Sequence, residues 1–281
     1  MVTHSTVEPA RLGRYQLVRM LDHGGSGLVY EGWDPVRQQQ VAIKTIHPSL
    51  LAGPDGQRLR ERCRDEARIL GACTHPNIAT LFEYGEEQGA PVMVLELLQG
   101  RTLKECLEAG LSFEVGQSVD LLYQVLDAVA CLHANGIMHL DLKPANMILL
   151  PGERLKVMDF GIARREDAPD AWHGTITGTP GYMAPEQLMG QPLDRRSDLF
   201  ATGVIFYELL TGVKPFPGRQ VPNIIQRVLN LSPDPPSLRN HRVPPALDGV
   251  ALRALAKQPT DRFQDAESFR DAIRQALAQP T

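Results

Sequence analysis

Long apolar runs, paired cysteines and an excess of positive charge are all missing from this chain. No stretch approaches the roughly 18 residues that a membrane span requires, and Met1 to Ala10 carries no basic-then-apolar leader pattern. The sequence therefore predicts no membrane contact for this chain and a cytoplasmic location, alone or as the cytoplasmic domain of a longer protein. The four cysteines, Cys63, Cys73, Cys106 and Cys131, form no C-x-x-C pair. That spacing argues against a disulfide framework and fits reduced thiols in packed surroundings. A formal net charge of −4 speaks against nucleic acid as a partner, because such proteins usually present basic surfaces. Internal repeats and low-complexity tracts are lacking as well.

What is there is long enough, at 281 residues, to bury a large core, and its 43% hydrophobic and 22% charged content is that of an ordinary globular protein. The first third reads as short strands. Tyr15, Leu17 and Leu21 alternate with polar residues, and strand patterns follow at 28–33, 40–46, 78–84 and 91–97. A helix interrupts them at 57–72, with Leu59, Cys63, Ala67 and Leu70 on one face. After Gly100 the texture turns helical. Val115, Val119, Leu122, Leu126, Val129 and Leu132 form a stripe that stops before Gly136, and the nearly all-apolar run Arg196 to Thr211 ends at Gly212. Proline-rich loops separate the later, shorter helices. The fold expected is α+β and bilobal within a single domain over 1–281. A tail (1–13) precedes a small antiparallel-sheet lobe with one helix (14–98), and a larger, mainly helical lobe follows (99–281).

Residues 139–146 read His-Leu-Asp-Leu-Lys-Pro-Ala-Asn, and 159–161 read Asp-Phe-Gly. Phosphoryl transfer calls for these types at this spacing. Asp141 can accept or orient a substrate hydroxyl, Asn146 and Asp159 can offer oxygens to Mg²⁺, and Lys143 can set a positive charge beside the phosphoryl group. An accidental polar loop would match on the order of once in a billion. Upstream, Val41-Ala42-Ile43-Lys44 lies in a strand pattern. A lysine there would ordinarily face water at a sheet edge, but Glu66 on the helix is a ready partner, and together they can hold the α- and β-phosphates. Before that strand, Asp22-His23-Gly24-Gly25-Ser26-Gly27-Leu28-Val29 can form a hairpin whose glycines let backbone N–H groups approach phosphate closely. Downstream, Gly178-Thr179-Pro180-Gly181-Tyr182-Met183-Ala184-Pro185-Glu186 follows, and then Asp198 and Arg262, both of which read as structural ions.

Taken together, these motifs resemble the eukaryotic-like (Hanks-type) Ser/Thr protein kinases of bacteria, from about Tyr15 to about Ala278. The resemblance implies a protein serine/threonine kinase with ATP held between two lobes. Its cofactors would be ATP and Mg²⁺, or Mn²⁺ in its place, and its partners proteins bearing Ser and Thr hydroxyls. It implies catalytic roles for Asp141, Lys143, Lys44 and Glu66, and metal ligation by Asn146 and Asp159. It implies an ATP site of Leu21, Gly24, Gly25, Gly27, Val29, Ala42, Lys44 and Ile148, with Leu95 as gatekeeper and Glu96 and Leu98 as backbone contacts in the hinge. Thr179 would dock substrate, and Thr175 and Thr177 are candidates for autophosphorylation. Leu70, Leu81, His139 and Phe160 match a stacked apolar spine. In the family the glutamate at Glu186 pairs with the arginine at Arg262, and the aspartate at Asp198 braces the catalytic-loop backbone.

The chain departs from the family at three places. Leu140 stands where most members carry arginine. Asp22 replaces the first loop glycine and brings charge of the same sign as the phosphates. Ala145 and Thr102 are neutral where kinases that prefer basic substrates often carry acids. Two other readings compete with an active protein kinase: a nucleotide-holding pseudokinase scaffold, and a small-molecule kinase. Retention of Lys44, Glu66, Asp141, Asn146 and Asp159 weighs against the first, and the Ala184-Pro185-Glu186 segment against the second.

Overall fold

The computed structural model describes residues 11–24, 27–166 and 179–278. Its chain divides into two compact units, Met1–Thr74 with Ala79–Gln99, and His75–Ile78 with Gly100–Thr281. The sequence reading cuts the chain once, at 98/99. The short excursion at 75–78 has a local cause, because the Asn77 carbonyl accepts the Val157 N–H at 2.8 Å and the Asn77 amide donates to the Leu155 carbonyl at 2.8 Å. Ile78, read as the start of a strand, instead makes a single parallel bridge with Val157.

The first unit is a six-stranded antiparallel sheet. Its strands are β1 (Arg11–Leu12), β2 (Tyr15–Gly24), β3 (Gly27–Asp34), β4 (Gln39–Thr45), β5 (Leu81–Glu87) and β6 (Ala90–Glu96), in the order β1-β2-β3-β4-β6-β5. Two residues of the expected tail thus belong to the sheet, with Arg11 opposite Gln16 and Leu12 opposite Tyr15. A single-turn helix α1 (Pro48–Leu51) precedes the expected helix, α2 (Gly56–Ala72). Side chains alternate across the sheet. Val41 and Ile43 pack with Tyr15, Val92 and Val94 on one face, while Met93 joins Ile46, Cys63 and Ala67 in a core that includes α2. The turn between β3 and β4 is fixed by the buried Asp34 carboxylate, which accepts the N–H groups of Val36 and Arg37 at 2.9 and 3.2 Å.

In the second unit, β7 (Arg101–Thr102) leads into α3 (Leu103–Glu108) and α4 (Val115–Ala134). Strand β8 (Ile137–Met138) comes next, then a 3-10 turn at Pro144–Asn146, β9 (Met147–Leu150), β10 (Arg154–Val157) and β11 (Arg164–Arg165). Helices α5 (Pro185–Met189), α6 (Arg196–Thr211), α7 (Val221–Asn230), α8 (Pro236–Arg239), α9 (Ala246–Ala254) and α10 (Ala266–Ala278) complete it. Every residue from Ser197 to Leu210 of α6 is buried, as its nearly all-apolar character predicts, with α4 and α9 packed against it. By length and composition α4 is long and apolar enough to cross a membrane, against the expectation that no such stretch exists. Its apolar stripe is spent on protein, since Val119, Leu122, Val125, Leu126, Val129 and Leu132 are all buried in a helix packed on α6, α10 and β10.

Candidate active site

In the first unit the register of the ladder gathers the expected nucleotide residues on one sheet face. Val29 lies opposite Lys44, and Ala42 opposite Leu95. Ala42 and Lys44 are two apart on β4 and so project to the same side. From α2, Glu66 reaches that face and receives the Lys44 ammonium on both carboxylate oxygens, at 2.6 and 2.9 Å. The side chains of Lys44 and Glu66 are only 12% and 7% exposed, so the pair is a nearly buried ion pair and not an edge lysine facing water. Val29, Ala42, Leu95, Glu96 and Leu98 are half-buried, and Leu21 is exposed. Leu70 is buried in α2, and Leu81 packs against the Ile46–Met93 cluster.

The tip of the β2–β3 hairpin pairs Gly24 with Gly27. At Gly27, with φ +136°, a Cβ would run into the Thr45 carbonyl oxygen, so only glycine fits there. Asp22 is exposed, and its carboxylate accepts the N–H of the next residue, His23, at 2.8 Å. That bond occupies a backbone donor in the segment expected to face phosphate. Gly25 and Ser26 lie outside the described residues, as do Asp167, Asp170, Thr175, Thr177 and Gly178.

The second unit holds the 139–146 loop and the 159–161 motif. Lys143 Nζ donates to Asp141 Oδ2 at 2.7 Å, and the Asn146 amide donates to the same oxygen at 2.9 Å and to the Asp141 carbonyl at 3.0 Å. Among the described residues nothing donates to Asp141 Oδ1, and the side chain retains 18% exposure. Asp141 therefore presents one carboxylate oxygen anchored and one open to a hydroxyl. Asn146 spends its side-chain N–H groups on Asp141, and its side-chain carbonyl oxygen is an acceptor that can serve as a metal ligand. The Met158 N–H donates to the Asn146 carbonyl at 2.9 Å and sets the distance from that loop to Asp159. A Cβ on Gly161 would stand 3.3 Å from Asp159 Oδ1 and crowd the carboxylate.

No group of three or more His, Cys, Asp or Glu is gathered to hold a metal among the described residues. An amide oxygen and a carboxylate are a hard donor set that fits Mg²⁺, which usually takes one or two protein carboxylates and completes its shell with phosphates and water. The half-buried Ile148 sits on β9 beside this loop, and exposed Thr179 accepts the Tyr182 N–H at 3.1 Å.

Two backbone outliers mark the same region. Leu140 has φ +63° and Asp159 φ +61°, conformations that cost of order 1–3 kcal/mol each and persist only where surroundings hold them. The restraint on Leu140 is Asp198. It accepts the N–H groups of His139 and Leu140 at 2.9 and 2.8 Å and the His133 ring at 2.9 Å. Burial alone would raise the Asp198 pKa, but the His133 hydrogen bond and charge and the Leu140 N–H outweigh it and hold it below the usual carboxylate range. Full burial keeps His139 neutral, with its pKa below the ordinary histidine value. The His139 Nδ1 accepts the Asp141 N–H at 3.3 Å, and its ring lies 4.7 Å from that of Phe160. Leu140 itself is buried with Met138 and Leu193, and Ile162 packs against them.

Glu186 and Arg262 form a buried bidentate pair at 2.7 and 2.8 Å. The structural reading of Asp198 and Arg262 thus has its geometry here. Residues that sequence reasoning missed include Ser197, which donates to Glu186 at 2.7 Å, Gln187, whose amide donates to the Leu140 carbonyl at 2.9 Å, and His133. His133 carried a legible signal, for it stands four residues after Val129 on the buried stripe of α4. A polar residue there needs a partner.

A family model described as protein kinase domain matches residues 15–279. The chain is 40% identical over 275 residues to the serine/threonine-protein kinase Pkn1 of Myxococcus xanthus, covering 96% of this chain and 39% of that protein. It is 35% identical over 270 residues to the serine/threonine-protein kinase PknD of Mycobacterium tuberculosis, covering 95% of this chain and 40% of that protein. It is 34% identical over 282 residues to the serine/threonine-protein kinase PknB of Mycobacterium leprae, covering 98% of this chain and 45% of that protein. The chain thus spans less than half the length of these curated relatives.

Proposed function

The chain belongs to the protein kinase family as a bacterial, Hanks-type Ser/Thr kinase domain, and we propose that it transfers the γ-phosphoryl group of ATP to Ser and Thr hydroxyls of other proteins. The observation that carries this reading is the state of Asp141. One carboxylate oxygen is fixed by Lys143 and Asn146, and the loop backbone before it is pinned by Asp198. A group so restrained can orient a substrate hydroxyl and accept its proton through Oδ1 with little reorganisation. Lys143, one residue beyond Leu142, sets its positive charge beside the transferred group. Lys44, oriented by Glu66, aligns the α- and β-phosphates, and Leu21, Val29, Ala42 and Ile148 supply apolar contacts to the base. Asn146 and Asp159 would hold Mg²⁺, or Mn²⁺ in its place; the bound ion supplies charge neutralisation on the phosphates. The domain works in the cytoplasm, on protein substrates.

Incubation with Mg and γ-labelled ATP, followed by phosphosite mapping, tests the reading. Wild type labels Ser and Thr on protein, and Asp141→Asn, which keeps the size of the side chain but weakens it as a base, loses activity while its circular dichroism is unchanged. Label on a small molecule, or nucleotide binding without transfer to any acceptor, would instead select the small-molecule kinase or the scaffold.

A further inference from the structure

The second unit carries a surface pocket of about 580 Å³ that phosphoryl transfer does not use. It is lined by buried Tyr207 of α6, by the chain leaving α6 at Val213 and Lys214, by Arg227 of α7 and Leu231 just beyond it, and by Arg239 of α8. Three prolines in its walls, Pro215, Pro217 and Pro233, fix the backbone in advance and reduce the ordering cost of binding. Val213 and Leu231 remain 50% and 42% exposed, so apolar surface stays open to solvent at the rim.

The charge is one-sided. Lys214, Arg227 and Arg239 share the lining with one acid, Asp234, which Arg239 already pairs at 2.5 Å, while the buried Glu208 carboxylate, bound to the Tyr182 hydroxyl, lies within electrostatic reach of Lys214. Arg227 makes no ion pair or side-chain hydrogen bond among the described residues. The Lys214 ammonium lies 5.2 Å from the Tyr182 ring centroid without an ion-pair partner among them. This cationic pocket sits in a chain whose formal net charge is −4, so it is a local feature and not a general basicity. Its walls also support the segment expected to dock substrate. Helix α7 packs on the turn Pro180–Tyr182, with Ile224 standing 3.7 Å from where a Cβ on Gly181 would be.

We propose that this pocket docks an acidic segment of a protein substrate, in which carboxylates flank an apolar side chain, remote from the hydroxyl that is phosphorylated. The carboxylates meet Arg227 and Lys214 through charge-assisted hydrogen bonds, and the apolar side chain covers Val213 and Leu231. The identity of the partner as a substrate rests on the kinase reading; the docking chemistry does not.

The test is direct binding, followed by kinetics. A short fluorescent peptide with glutamates flanking a leucine is titrated by anisotropy against the same peptide with glutamines, on wild type and on the Lys214→Glu, Arg227→Glu double variant. The glutamate peptide binds wild type about tenfold more tightly at low salt, the value of one charge-assisted contact. The variant loses that preference at unchanged Tm, since both residues are exposed. Fused to a phosphorylatable peptide, the glutamate segment lowers KM at constant kcat for wild type only, and the peptide without it is phosphorylated equally by both. Equal binding of the two peptides to wild type, or a preference that survives in the variant, overturns the proposal. Glutamate-dependent docking without transfer to any acceptor would instead remove the kinase reading and leave the docking site standing.

Discussion

Lys44 and Glu66 show how far one residue's role depends on its surroundings. Each would be an ordinary surface charge in an exposed strand or helix, where such a pair contributes little. Here both are nearly buried, and removing Lys44 takes from the Glu66 carboxylate the ammonium that it binds through both oxygens. Lys44→Met therefore loses phosphotransfer and also destabilises the domain, by about 3 kcal/mol. Adding Glu66→Leu to it restores most of the stability and none of the activity. Urea unfolding of both variants beside a phosphotransfer assay separates the two effects. A Lys44→Met protein as stable as wild type would show that the pair is far more hydrated than its geometry indicates.

At the scale of elements, the question is what orders the chain that follows Asp159. Leucine at 140 has no donor for a phosphate, and its side chain is buried with Met138 and Leu193. Other restraints hold the near end of the segment. Strand β11 pairs with β8, the Glu166 N–H donates to the Gly136 carbonyl at 2.8 Å, and Arg195 grips the Glu166 carboxylate at 3.0 and 2.6 Å. Arg195 also holds the Glu166 carboxyl below the usual carboxylate range, so this anchor stays charged at neutral pH. Phosphorylation of the segment is therefore expected to tune activity and not to switch it. A Thr175→Ala, Thr177→Ala double variant, and wild type stripped by a phosphatase, keep activity within several-fold of the phosphorylated enzyme. A loss of about a hundredfold in both would mean that a phosphate does the ordering.

Across the whole molecule, the buried charges of the second unit set how stability follows pH. Lys257 Nζ is buried with no hydrogen-bond partner among the described residues, 4.1 Å from the Phe216 ring centroid and beside the Glu186–Arg262 pair, whose arginine donates to the Lys257 carbonyl. Burial, and then the Arg262 charge, lower its pKa from 10.5 to about 8. Between those values the unfolded chain holds a proton that the folded chain has released, so this group's contribution to stability rises with pH across that window and is least favourable below it. Lys257→Met is thus more stable than wild type at neutral pH, and the gap closes as pH climbs from about 8 towards 10.5. Denaturation midpoints at several pH values check this; a constant gap would exclude Lys257 as the titrating group.

Much of the fold and of the candidate site was already legible in the residues. The helical stripes over α2, α4 and α6 follow from periodicity, because an apolar face must be buried whatever it meets. The Asp141–Lys143–Asn146 loop and the Asp159 motif are each contiguous in the chain, so local spacing alone suggests the chemistry proposed for them. Pairings across long separations were not legible from composition or periodicity. That His133 and two loop N–H groups converge on Asp198, that Ser197 joins Glu186 and Arg262, that Asn77 is tied to β10, and that Lys214, Arg227 and Arg239 line one pocket are facts of tertiary packing. Sequence records which groups need partners, since a buried polar atom without one is costly. Which partner each one finds depends on how distant elements pack together, and only the folded chain decides that.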